Sequence, residues 1–96
     1  MDAEDMIKKY WSEDGKLKQY PAKKMLRESV LRMLAQKFEQ GRIYTEKEVN
    51  AVIQDSILFS DHELIRREMF MYRILGRLRD GSQYWLEAAE DASQVK

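Results

Sequence analysis

Residues 44–86 read YTEKEVNAVIQDSILFSDHELIRREMFMYRILGRLRDGSQYWL, two helix starts followed by a hairpin. Thr45-Glu-Lys-Glu48 has the form of a capping box, in which the Thr hydroxyl serves the Glu48 amide and the Glu48 carboxylate reaches back to the Thr45 amide. Tyr44 and Val49 flank it as a hydrophobic staple, and Val49, Val52, Ile53 and Ile57 then recur on one helical face. Ser60-Asp-His-Glu63 repeats the box, with Phe59 and Leu64 as its staple. Only about three residues then lie between the helices, so they must turn sharply against each other. The second helix is expected from about Asp61 to Arg73 or a little beyond, burying Leu64, Ile65, Met71, Tyr72 and Leu75. His62, Arg66 and Arg73 fall on its opposite side, with Arg67 nearer the flank. Leu75–Arg79 and Ser82–Leu86 read as two strands, with Leu78 directed inward. Asp80-Gly81 between them suits a type I′ turn, which needs positive φ at both central positions.

Toward the N-terminus, Leu26, Val30, Met33, Leu34 and Phe38 keep helical spacing after Pro21, a residue suited to a first helical turn. Gly41 marks that helix's end, at or a little beyond the C-cap. Before it, Lys16-Leu-Lys-Gln-Tyr20 alternates as a short strand, and Ser12-Glu-Asp-Gly15 breaks the chain from an earlier amphipathic helix carrying Met6, Ile7, Tyr10 and Trp11. Helix, short strand, helix, helix-turn-helix and hairpin are the parts of a winged helix-turn-helix. The expected class is therefore α+β, mostly α, with an extra N-terminal helix over residues 1–13 and a hairpin wing over 75–86. Residues 1–86 form the one expected domain. Residues 87–96 are a small acidic tail, expected as a frayed helix or disordered.

Composition narrows the function classes. Ninety-six residues suit one core. No apolar run approaches the ~20 residues of a membrane span, and the absence of cysteine fits a cytoplasmic protein. Net charge is zero, which weighs against an obligate polyanion binder, but the charges are segregated. Residues 16–37 carry +6 and residues 62–79 carry +3, separated and flanked by segments of −3. If the basic pair meet on one face, that face attracts phosphate.

Two basic sets are candidate DNA contacts. Arg66, Arg67, Arg73, Arg77 and Arg79 lie on the expected reading helix and wing, and the guanidinium fork suits phosphate and guanine edges. Lys16, Lys18, Lys23 and Lys24 flank Tyr20-Pro21 at a helix N-terminus, where free amides also receive phosphate. The alternatives are internal pairing of arginines with Glu63 or Glu68, and a solvated lysine edge. Tyr20, Tyr84 and Trp85 either stack on bases or anchor the strands. Met6, Ile7, Tyr10 and Trp11 either close the core or form a dimer contact. His62 has no second ligand at metal spacing, no phosphate-binding or nucleophile-elbow motif occurs, and Glu46 and Glu48 suit first-turn electrostatics. No enzyme, metal or cofactor is expected. The expected partner is double-stranded DNA, the alternative a second copy or another protein.

Gly15-Lys-Leu-Lys-Gln-Tyr-Pro-Ala-Lys-Lys24, Lys37-Phe-Glu-Gln-Gly-Arg-Ile-Tyr-Thr-Glu-Lys-Glu-Val-Asn50, Leu64-Ile-Arg-Arg-Glu68 and Asp80-Gly-Ser-Gln-Tyr-Trp85 together resemble the bacterial DUF2087 family. The resemblance implies a winged-helix-like module that often follows an ArsR-type DNA-binding domain in transcriptional regulators. It carries over no catalytic residue. Where the family has a Tyr-Gly-Leu-Leu type of stretch, this chain reads Tyr72-Arg-Ile-Leu75, without the glycine that would end the helix early.

Overall fold

The computed structural model describes residues 7–87. In chain order they form helices α1 (Lys24–Leu34), α2 (Glu46–Ser56) and α3 (His62–Met71), then strands β1 (Leu75–Arg77) and β2 (Tyr84–Leu86). This is a small α+β arrangement, mostly helical. Met6, the first five residues of the expected N-terminal helix and the tail from Ala88 onward lie outside the described residues.

The box at Thr45 forms as written. The Glu48 amide donates to the Thr45 hydroxyl at 3.1 Å, and the Thr45 amide to the Glu48 carboxylate at 2.9 Å. Val49 and Ile53 are buried behind it. The second box does not form. The N-cap of α3 is Asp61 rather than Ser60, with no side-chain bond, and the α2–α3 connection runs over 57–61, longer than expected. Backbone pairing from elsewhere holds that connection. The Leu17 amide donates to the Ser56 carbonyl and the Leu58 amide to the Leu17 carbonyl, both at 2.8 Å. Ser60 and its neighbours are thereby drawn out of helical phase, and a pairing across 40 residues overrides a local signal. Leu17 itself is fully buried and bridges Trp11 on its other side, so the expected strand at 16–20 is reduced to single bridges.

The first long helix is shorter than its periodicity suggests. Lys23 is still extended, and Pro21 stays outside the helix, its carbonyl taken by Arg27 Nε at 2.7 Å. After Leu34 the backbone tightens into a 3-10 turn over Ala35–Lys37, which still delivers Phe38 to the core. Gly41, at φ +87°, lies in the following connection, three residues past the Phe38 cap.

That connection ends in Tyr44, which exchanges both backbone hydrogen bonds with Tyr84, at 2.7 and 2.8 Å. Tyr44 thus adds a third strand position beside β2. The hairpin register pairs Leu75 with Leu86, Gly76 with Trp85 and Arg77 with Tyr84. Gly76 faces the Trp85 indole so closely that a Cβ there would fall on it. The turn is not type I′: of its residues only Gly81 has positive φ. The Gly81 amide bonds Leu78, and the Leu78 amide bonds Gln83 across a four-residue loop. Asp80 keeps an ordinary φ because its carboxylate accepts from the Ser82 amide and hydroxyl, bonds that also hold its pKa below the usual range.

The largest departure is the end of α3. The helix stops at Met71, and the Ile74 amide bonds the Met69 carbonyl at 2.8 Å while the Arg73 amide bonds Phe70 at 3.0 Å. These are the two bonds of a Schellman motif, with buried Ile74 closing over buried Met69. Arg73 occupies the left-handed position at φ +62°, a conformation that glycine adopts without strain. The helix therefore ends early although no glycine stands there. Met69, not Met71, is the core residue. Met71 is 69% exposed and Leu78 41% exposed, so neither is directed inward as expected.

A left-handed non-glycine residue costs about 1–2 kcal/mol, against about 0.5–1 kcal/mol for the extra freedom glycine brings to the unfolded chain. Arg73 is exposed, so no packing is lost with its side chain. Arg73→Gly should therefore raise stability by about 0.5–1 kcal/mol in urea unfolding, while Arg73→Ala stays within about 0.5 kcal/mol of the parent. A glycine variant no more stable than the alanine variant would contradict the strain argument.

Candidate nucleic-acid interface

Helix α3 is tied down on two flanks, and its charged side chains divide accordingly. Its core edge carries Ile65 and Met69. Glu68 projects toward the segment before α1, where it accepts from the Tyr20 hydroxyl and pairs with Arg27 at 3.4 Å. Arg27 also lies over the Tyr20 ring, 4.5 Å from its centroid. Arg66 projects toward α2, donating to Asn50 Oδ1 and standing 4.0 Å from the Glu46 carboxylate. Residues 66 and 68 are about 200° apart on the helix, so the flanks are opposed and the crest between them, with Glu63, Arg67, Phe70 and Met71, faces outward.

Of the five candidate arginines, three meet. Arg66, Arg67 and Arg77 line one cleft with Glu46, Phe70 and Tyr84, where α3, the start of α2 and the hairpin join. Arg77 stacks on Phe70 at 4.9 Å. Arg66 is largely buried and held by its hydrogen bond to Asn50, which helps fix the α2–α3 angle. Arg67 and Arg79 are exposed, and Arg73 is exposed beyond the helix end.

The lysines do not join that cleft. Lys16 lines a separate groove with Asp14, Lys37 and Asp55, next to acidic neighbours. Lys18, Lys23 and Lys24 are exposed, and none of them lines the arginine cleft. Of the aromatic candidates, Tyr84 is buried with its hydroxyl donating to Glu46 at 3.3 Å, Trp85 covers Gly76, and Tyr20 is committed to Glu68. All three anchor structure. Ile7 is 2% exposed and belongs to the core, with half-buried Tyr10 and Trp11 packed against the same cluster, so Ile7 offers no dimer surface. His62 meets Gln54 at 3.2 Å.

Phe70 is a cleft residue that the sequence did not single out, and in the sequence Glu46 reads only as a first-turn acid of α2. Glu46 lies twenty positions from Arg66, and nothing local announces that the first residue of one helix faces the next. Among the described residues no group of three metal-ligating side chains stands together, and no helix is long and apolar enough to cross a membrane.

Comparison with known proteins adds one finding. The family model DUF2087, described as an uncharacterised protein conserved in bacteria, matches residues 16–86. No curated protein and no solved structure matches the chain.

The Tyr20 contact has a pH signature. Burial, then the hydrogen bond to Glu68 and the charge on that carboxylate, push the Tyr20 pKa well above its ordinary 10.0. A raised folded-state pKa gives stability that is complete below the unfolded value and lost as pH climbs past it. Urea midpoints should therefore fall more steeply from about pH 9 to about pH 11 in the parent than in Tyr20→Phe. Parallel pH profiles would mean that the phenol is not held protonated by the fold.

Proposed function

The chain belongs to the DUF2087 family, and on that premise we propose that it is a non-enzymatic winged-helix module whose α3 and hairpin contact double-stranded DNA. The order of parts supports the reading: α1, a strand position at Tyr44, α2, α3 and a hairpin paired back to Tyr44. In winged helices the third core helix enters the major groove and the hairpin touches adjacent backbone. The observation that carries the reading is the convergence of Arg66, Arg67 and Arg77 where α3 meets the hairpin, with Arg79 exposed beyond them. Guanidinium groups from two elements can then grip one backbone stretch. A net charge of zero implies that such binding is modest and depends on this local excess.

A second reading, a protein-interaction module, is favoured by one observation. The crest of α3 exposes Phe70 at 42% and Met71 at 69%, beside a groove lined by Arg73, Leu75 and Glu87. Adjacent exposed apolar side chains suit a protein partner better than a phosphate backbone.

The two readings part on salt. Affinity for a mixed-sequence duplex should fall by about 0.9 log unit per phosphate contact for each log unit of salt. Replacing Arg67 and Arg79 by Ala should weaken binding and flatten that slope by about one unit per lost contact, with stability changed by no more than about 0.5 kcal/mol per site. If the parent binds no duplex at low salt, the interaction reading replaces the first.

A further inference from the structure

We infer that the cleft between α3, the start of α2 and the hairpin is a seat for one phosphate group, with Glu46 as the internal anion that phosphate displaces. The inference deepens the proposed DNA contact and rests on it for the partner's identity, but its chemistry can be tested without DNA.

Size decides the ligand class. The cleft holds about 150 Å³, below the roughly 300–1,000 Å³ of sites that enclose a metabolite. It can admit a single oxyanion head while the rest of the ligand stays outside, as a backbone phosphate requires. Charge decides the sign. Three guanidinium groups face one carboxylate, and among the described residues Arg67 and Arg77 make no salt bridge.

The one acid among the described lining residues is loosely held. Glu46 stands 4.0 Å from Arg66, the outer limit of an ion pair, and accepts from the Tyr84 hydroxyl at a long 3.3 Å. It is half-exposed and sits at the first position of α2, free to swing outward. The donors are better fixed. Asn50 orients Arg66, and Phe70 supports the Arg77 guanidinium from below. Planar, pre-oriented forks favour tetrahedral oxyanions over a halide ion. Gly81 keeps the rim open. A side chain there would stand against both the Arg77 guanidinium and the Glu46 carboxylate, at 3.3 and 3.5 Å from its Cβ. An arriving phosphate oxygen takes the place of the Glu46 carboxylate beside Arg66 and gains Arg67 and Arg77, which Glu46 does not pair.

The test is a titration of the full chain with inorganic phosphate, followed through arginine Nε–H and backbone amide resonances, with chloride at matched ionic strength as the control. Saturable shifts at Arg66, Arg67, Arg77 and Gly81 are expected with phosphate and not with chloride. Arg67→Ala, an exposed and structurally safe change, should weaken phosphate binding by about fivefold or more. Glu46→Gln removes the competing charge and should tighten it by about two- to fivefold. Linear shifts shared by chloride, or a Glu46→Gln variant that binds no tighter, would overturn the inference. Duplex titration separates the sources. Duplex binding without saturable phosphate shifts defeats the seat and leaves the DNA reading standing. Saturable phosphate binding without duplex binding defeats the DNA reading and makes the cleft a site for a free phosphate anion.

Discussion

The backbone pair between Tyr44 and Tyr84 is the constraint on which the rest of the structure depends. Two hydrogen bonds join Tyr44, two residues before α2, to the first residue of β2. A two-stranded hairpin of three residues per strand is marginal alone, and this bridge gives it a third strand position and a buried anchor. The Tyr44 ring continues the linkage: its hydroxyl accepts from the Glu39 amide at 2.8 Å, and its face meets Phe38 edge-on with centroids 5.2 Å apart. The α1–α2 connection, the start of α2 and the hairpin are thereby fixed together. Arg77, directly opposite Tyr84 in the register, can then lie beside Arg66 and Arg67 only because that bridge sets the hairpin's position.

Much of this was legible in the sequence where the signal is local and uncontested. The Thr45 box, the periodic core of α1 and α2, and a hairpin around Asp80-Gly81 all follow from short-range chemistry, and each is present. The failures share a cause. Ser60 carries a capping signal as good as Thr45, but Leu17 pairs with the backbone on either side of Ile57 and sets where α3 can begin. Asp80 has the residue type for a left-handed turn, yet its own carboxylate finds the Ser82 amide and stabilises a different loop. Met71 is still within α3 but on its outward arc, away from Ile65 and Met69, and Leu78 follows the last residue of β1, where strand alternation no longer applies.

Arg73 shows the reverse situation, a geometry kept despite the residue. The packing of Ile74 over Met69 and the two Schellman bonds outweigh the strain of a left-handed arginine. The candidate surface was only half legible for a related reason. Sequence identifies arginines and lysines but not which flank of α3 each reaches. Glu68 is committed to Tyr20 and Arg66 to Asn50 on opposed flanks of the helix, and none of the four candidate lysines lines the arginine cleft. The two basic segments do not meet in the arginine cleft, and Lys16 lines a separate groove.

The dependence of the architecture on the Tyr44–Tyr84 bridge can be measured residue by residue through native-state hydrogen exchange. Both amides donate across the bridge, so both should exchange only through global unfolding, with the same opening free energy and denaturant dependence as the buried amides of α2. Exchange of the Tyr44 and Tyr84 amides through a local, denaturant-insensitive opening, while α2 and α3 stay protected, would contradict the account: the hairpin would then be an appendage rather than the element that completes the core.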